Sequence, residues 1–143
     1  MSTEDNKALA NRLVEEVINK GKLDAAGDYF TADYEDHATP PGLPAGLAGF
    51  QAFFTGLRSA FPDLQYVIDE TIAEGDLVVN RATAQGTMKG DFLGMPATGK
   101  HATWTEMHMV RIVNGKIVEH WANIDQLGML QQLGLVPTPG QGG

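Results

Sequence analysis

Apolar positions in the first part of the chain recur at helical spacing. Ala10, Leu13, Val14, Val17 and Ile18 fall on one face and predict a helix over residues 3–19, capped by Ser2 or Thr3 and stopped at Gly21. A short second helix over 22–30 turns Leu23, Ala26, Tyr29 and Phe30 inward, and residues 31–38 turn and become extended. The loop that follows (Pro40, Pro41, Gly42, Pro44, Gly46) is too broken at its start for regular structure. A third helix over 47–60 carries Leu47, Phe50, Phe54, Leu57 and Phe61 on one stripe, and Pro62 ends it. The period then changes from helical to alternating. Stretches 65–73, 76–89, 101–113 and 116–124 are rich in Val, Ile and Thr and predict four strands. Glu74-Gly75-Asp76, the longer 90–99 connection and Asn114-Gly115 join them, and a short helix begins at Gln126.

Helices followed by a meander of long strands make an α+β pattern. The expected architecture is one domain over residues 1–136. In it a curved antiparallel sheet forms a cone, packed against the N-terminal helices, with an internal pocket. Residues 137–143 have no apolar anchor and read as a flexible tail.

The Asn-Gly turn fixes a register, because a two-residue hairpin of this type requires positive φ at both central positions. Pairing Val113 with Lys116 and counting outward sets Val110 against Glu119, His108 against Trp121 and Trp104 against Asp125. One face then carries Trp104, Glu106, His108, Val110 and Ile112 with Ile117, Glu119, Trp121, Asn123 and Asp125. The other carries Thr103, Thr105, Met107 and Met109 with Val118, His120, Ala122 and Ile124. Two indoles, several carboxylates and a histidine on one face suit a pocket, since buried polar groups without partners are costly. The nearly uncharged second face suits burial against another copy of the chain, giving a homodimer. Arg81 sits among small apolar neighbours, as an internal cation paired with Glu70, Glu106 or Glu119, or as an exposed charge.

Composition narrows the partners. The formal net charge of −8 disfavours nucleic acid and anionic membrane surfaces. The absence of cysteine excludes disulfides, thiolate metal sites and cysteine nucleophiles. No apolar run has the length of a membrane span, and no signal-peptide pattern is present, so a cytoplasmic location is the expectation. The four histidines do not fall at a zinc-binding spacing, and no metal site is expected. No glycine-rich loop follows a strand and opens a helix in the phosphate-binding pattern.

Several stretches carry a family resemblance. They are Phe30 to His37, Ala60-Phe61-Pro62-Asp63-Leu64, Ala73 to Arg81, Gly90 to Lys100, Asn114 to Trp121, Asp125, and Gln132-Leu133-Gly134. In that order, over nearly the whole chain, they resemble the SnoaL-like polyketide cyclases. These share their fold with nuclear transport factor two, ketosteroid isomerase and limonene epoxide hydrolase. The resemblance implies an α+β cone, dimeric or larger, that uses no metal and no organic cofactor. It closes a ring in a polyketide-like or other small apolar carbonyl substrate by aldol chemistry. It also implies that Asp125, a few residues after the tryptophan of the last strand, is the acid/base, and that His37 faces the cavity mouth.

Each candidate has a plainer reading beside the chemical one. Asp125, set among Trp104, Trp121 and Ile124, would be poorly solvated and suited to proton exchange, or it caps the last helix. His37 orients a substrate oxygen or pins the adjoining loop. His108 assists Asp125 or is a satisfied core histidine. Arg81, Trp104, Glu106, Trp121 and Phe53 are expected to shape the pocket, with Phe92 and Met95 as lid or wall. Three other functions stay open on the same scaffold: a related lyase or isomerase reaction, epoxide hydrolysis in which Arg81 serves beside Asp125, and ligand binding without catalysis.

Overall fold

The computed structural model describes residues 2–138. The chain opens with α1 (Thr3–Arg12), closed at its start by reciprocal bonds between Ser2 and Asp5. The helix does not end there but widens into a π-helical segment, Leu13–Asn19. That widening turns the Asn19 side chain toward the sheet. Its Nδ2 donates to the Tyr66 carbonyl at 2.9 Å, and its Oδ1 accepts from the Tyr66 N–H at 2.8 Å. Arg58 Nη1 donates to the Ile18 carbonyl at 2.7 Å and so satisfies the frayed end. A single 3₁₀ stretch, Leu23–Asp28, leads into β1 (Phe30–Asp36).

After the Pro/Gly loop come α2 (Gly46–Ala60), β2 (Gln65–Glu74), β3 (Leu77–Thr87), β4 (His101–Val113), β5 (Lys116–Ile124) and α3 (Gln126–Gln132). The four predicted strands stand within a few residues of their expected limits. The fifth, β1, is an addition. It pairs parallel to β5, so the five-stranded sheet, ordered β1-β5-β4-β3-β2, is mixed rather than antiparallel. The short 31–38 stretch gave no alternation long enough to betray it, because only Phe30 and Tyr34 of β1 are buried.

The helices cover the concave face. Phe54, Leu57, Ala60 and Phe61 of the α2 region pack with Ala82, Ala84, Met88, Ala102 and Trp104 of the sheet. Gly86 lets Phe61 lie on β3, since a Cβ there would come within 2.9 Å of the ring. Leu9, Leu13 and Val17 meet Phe30, Val78, Ile112 and Ile117 at the other end. Packing the helices onto one face of a twisted sheet leaves a cone-shaped hollow between the layers.

The β4–β5 register corrects the expected one. Asn114 and Gly115 both have positive φ, and Val113 does pair with Lys116. Ile112 then pairs with Ile117, but Arg111 pairs with Glu119, which leaves Val118 as an extra residue in β5. A bulge of this kind reverses the facing of every later residue on its strand. His120, Ala122 and Ile124 therefore turn toward the cavity, and Glu119, Trp121 and Asn123 turn away. One feature favours the bulge: with Val118 set aside, Glu119 reaches the Arg111 guanidinium at 3.2 Å. The outer face expected to meet a second copy keeps Met107 and Met109, but it gains Trp121 and Glu119 and loses His120 and Ala122.

Candidate active site

The hollow between α2 and the sheet has a volume of about 510 Å³, within the range of small-molecule pockets. Its wall is mostly apolar, with Phe50, Phe53, Phe54, Ile68, Val110 and Met129 among the lining residues. No Lys or Arg lines it among the described residues. Its polar side chains concentrate on one strip of β4, β5 and the end of β1.

That strip is a chain of hydrogen bonds. Glu106 Oε1 lies 2.6 Å from His108 Nε2, His108 Nδ1 lies 2.9 Å from His120 Nε2, and His120 Nδ1 lies 2.9 Å from Asp36 Oδ1. Alternation along β4 places Glu106 and His108 on the concave face. The bulge brings His120 beside them, and the parallel pairing of β1 to β5 sets Asp36 opposite His120. The two imidazoles are nearly parallel, at 14°. Each end of the chain is anchored. Trp104 Nε1 and the Tyr66 hydroxyl donate to Glu106 Oε2 at 2.7 and 3.0 Å, while the Tyr34 hydroxyl and the Ala38 N–H donate to Asp36.

Burial works against ionisation of Asp36. The His120 hydrogen bond and charge, with the Ala38 and Tyr34 donors, nevertheless hold its carboxyl below the usual range. Burial and the neighbouring carboxylates push both phenols, Tyr34 beside Asp36 and Tyr66 beside Glu106, well above their ordinary value. Both tyrosines therefore stay protonated and serve as fixed donors.

The chain has a definite proton capacity. Its three links each need one proton. Two neutral imidazoles beside two ionised carboxylates supply only two. Closing all three links at once takes a third proton, on an imidazole or on Glu106. When that proton leaves, lone pairs of His108 and His120 face each other, the middle link opens, and a ring nitrogen becomes a free base. The strip can thus hold one exchangeable proton inside an apolar pocket, without a cation from Lys or Arg.

The structure distributes the sequence-predicted residues unevenly. Glu106, His108, Trp104 and Phe53 line the cavity together, and His37 stands at its rim. Arg81 does not enter. It is exposed on the outer face, against Glu70 and Met107 in the ladders, so it is no internal cation and cannot bridge acids in the cavity. Trp121 is also outside, because the bulge reverses it. Its indole stacks on His37 at 5.1 Å, with the Arg111 guanidinium 5.9 Å from the ring centre. Asp125 is exposed and outside the cavity lining, where its Oδ1 accepts the Gly128 N–H at 2.9 Å. The expected surroundings of Trp104 and Trp121 are absent there. A Cβ at residue 128 would overlap the Asp125 carboxylate, which accounts for glycine at that position. Asp125→Ala is expected to cost about 1 kcal/mol of stability through the lost cap, measurable by denaturant unfolding, and to leave turnover within a few-fold of wild type.

Sequence reasoning missed Asp36, His120 and Tyr66. The signal for the first two lay in the Asp36-His37 and His120-Trp121 pairs, but only the β1–β5 pairing and the bulge show which member of each faces inward. Tyr66 had no signal beyond its place at the start of a strand.

At the rim, His37 Nε2 donates to Glu119 Oε2 at 2.8 Å, and Glu119 Oε1 takes Arg111 at 3.2 Å. Glu35, His37 and Glu119 present ligand atoms within 4.8 Å of one another, but Glu119 already has two cationic partners. The Glu119 hydrogen bond, opposed by partial burial and aided by Glu35 and Asp36, raises the His37 pKa. The His37 bond, also opposed by burial, and Arg111 lower that of Glu119. A raised histidine contributes stability in full below its unfolded value, about 6.5, and loses it as pH rises through the folded value. A lowered glutamate contributes above about 4.3 and loses it as pH falls through its folded value. The stabilising effect of the rim pair should therefore be largest between these limits. The unfolding midpoints of wild type and His37→Gln are expected to differ most near about pH 5.5 and to converge in alkaline buffer.

A cone of one curved sheet with a strip of titratable side chains in a largely apolar pocket defines a class of small proteins that take up organic molecules. The sequence model of the SnoaL-like polyketide cyclases matches residues 8–133, and the chain belongs to that family. It is 34% identical to aklanonic acid methyl ester cyclase DnrD of Streptomyces peucetius over 92% of both chains. It is 31% identical to nogalonic acid methyl ester cyclase of Streptomyces nogalater over 82% of this chain and 89% of that one. Among solved structures, TsrD of Streptomyces laurentii superposes with a TM-score of 0.86 at 26% identity, covering 95% of this chain and 99% of that one. The chain is therefore an enzyme of cyclase type. Among its described residues no helix is long and apolar enough to cross a membrane.

Proposed function

We propose that this protein closes a carbon ring in a polyketide acid methyl ester by intramolecular aldol addition, with His108 as the proton carrier. The observation that carries the reading is the Glu106–His108–His120–Asp36 chain inside an otherwise apolar cavity. The ester cyclases among the relatives support the substrate class.

In the open, two-proton state, His108 Nδ1 takes the proton of a carbon flanked by carbonyl groups. The electron pair of the broken C–H bond passes into the enolate. The enolate carbon attacks a ketone carbon of the same molecule, forming the ring C–C bond, while the π pair of that ketone moves to its oxygen. That oxygen takes the proton back from His108. Substrate and product are isomers, and the chain returns to its starting state. Glu106 holds the imidazole by Nε2 and balances its positive charge, as Asp36 does for His120. The largely apolar wall aligns the two reacting carbons and limits the water around the enolate.

The alternative of epoxide hydrolysis assigned to Arg81 a place beside an acid in the cavity, and Arg81 lies on the other face of the sheet. The test is incubation with aklanonic acid methyl ester and nogalonic acid methyl ester. The expected product has unchanged mass, altered chromatographic retention and one ketone fewer. Tight binding of both compounds without conversion would overturn ring closure in favour of a binding function.

A further inference from the structure

The concave face holds one side-chain amide that the proton chain does not use. On β3 the inward positions are Val78, Asn80, Ala82 and Ala84, and Asn80 is the polar member of that row. It is 7% exposed and lines the cavity. The ladder sets it directly opposite His108 on β4 and opposite Thr71 on β2. Facing residues in adjacent strands have Cβ atoms about 5 Å apart, so the Asn80 amide and the His108 ring border the same part of the cavity.

The orientation of this amide follows from Thr71. The Thr71 hydroxyl lies 2.7 Å from the Asn80 side-chain oxygen and 3.2 Å from the Asn11 side chain. One hydroxyl has one proton, so only one of these contacts is its donation. The shorter has the length of a good O–H···O bond, and the longer, to Asn11 Oδ1, is stretched for one. Thr71 therefore donates to Asn80 Oδ1, and Asn11 Oδ1 is at most a secondary acceptor. Asn80 Oδ1 is thereby occupied. Its Nδ2 has no protein acceptor among the described residues, although the residue is nearly buried. A donor left in that condition is stabilised by an acceptor on the ligand.

We propose that Asn80 is the oxyanion donor of this cavity. Its Nδ2 amide binds the carbonyl oxygen beside the carbon that His108 deprotonates, and Thr71 fixes the amide in that orientation. This rests on His108 as the proton acceptor. As the C–H bond breaks, negative charge moves onto that oxygen, and an N–H donor in an apolar site favours the enolate over the ketone. Ligand oxygen, Asn80 and His108 together would select carbonyl compounds with an acidic α-hydrogen.

The experiment uses Asn80→Leu, the near-isosteric Asn80→Asp, Thr71→Val and His108→Gln in the full chain. It has two readouts. The first is turnover of aklanonic acid methyl ester, where Asn80→Leu should lower kcat by about a hundred- to a thousandfold with a smaller change in KM. The second is binding of 4-nitrophenolate, an enolate-like anion, against the uncharged 4-nitroanisole. Asn80→Leu should weaken the phenolate by about ten- to a hundredfold and leave the anisole unchanged, with Thr71→Val in between. Should Asn80→Leu fail to fold, Asn80→Asp removes the donor with the shape retained and is expected to lose the phenolate preference as well. Equal phenolate affinity in wild type and the Asn80 variants would overturn the proposal. Turnover surviving in His108→Gln, with phenolate preference still lost in Asn80→Leu, would instead overturn the assignment of His108 and leave Asn80 as the oxygen-binding group.

Discussion

Replacing His108 by Gln is expected to lower kcat on a ring-closing substrate by about a hundred- to ten-thousandfold, the usual contribution of a positioned acid/base. Gln occupies a similar volume and can still bond to Glu106 on one side and His120 on the other, so the fold and the pocket should survive. It cannot take a proton from carbon and return it to oxygen. The three-link proton count leaves either imidazole as the base, and both rings line the cavity. His108 is taken because its carboxylate partner, Glu106, is buried, whereas Asp36, beside His120, is only half-buried. His120→Gln should cost less, because it removes the relay's far half and leaves the Glu106–His108 pair. Steady-state kinetics with a binding measurement on the same protein checks both. A His108→Gln enzyme retaining more than a tenth of wild-type kcat would remove the proton from this strip and return Asp125 to consideration.

Glu106→Ala is expected to destabilise the protein by about 3–5 kcal/mol, the cost of breaking a buried, fully bonded charged pair by removing one partner. Glu106 is 3% exposed and accepts from Trp104, Tyr66 and His108. Alanine would leave these donors without their acceptor at the cavity wall. Glu106→Gln should behave differently. Its single carbonyl oxygen can keep Trp104 and Tyr66, and its NH₂ can donate to His108 Nε2, so stability should be largely restored. That arrangement forces the His108 proton onto Nδ1 and removes the acceptor that balances an imidazolium, so turnover should still fail. Denaturant unfolding of both variants with turnover of the glutamine form separates the structural from the chemical role. Equal stability of the alanine variant and wild type would show that Glu106 is not held as the hydrogen bonds imply.

The strands were legible because β3 and β4 alternate cleanly over 11 and 13 residues, and their buried positions fall where the period predicts. Trp104, Glu106 and His108 were legible as a pocket face for the same reason: they lie on β4, away from any irregularity. Trp121 was misplaced by one residue of register. Val118 reads in sequence as an ordinary strand valine, and nothing in its type announces a bulge. The preference for one arises from β4, where Arg111 meets Glu119 only when Val118 is set aside. For Asp125 the expected cap stands and the expected surroundings do not, for a related reason. Past the bulge its neighbours are not Trp104 and Trp121, and its side chain turns back to the first turn of α3.

The class of fold, the family, the cavity-facing row of β4 and an apolar container able to hold a small organic molecule were all legible in the order of residues along the chain. The fold class, the β4 row and the container follow from periodicity and composition, which act locally and survive any small change of register; the family follows from the motifs that carry the resemblance. Tertiary structure alone decided which histidine meets which, that Asp36 and Tyr66 close the ends of the proton chain, that Asn80 is left with a free donor, and that Arg81 stays outside. Each of these depends on pairing between segments far apart in the chain. A parallel edge strand, a π-helical turn and one extra residue in β5 set that pairing. In a structure whose side chains alternate with period two, a single inserted residue exchanges the inside for the outside.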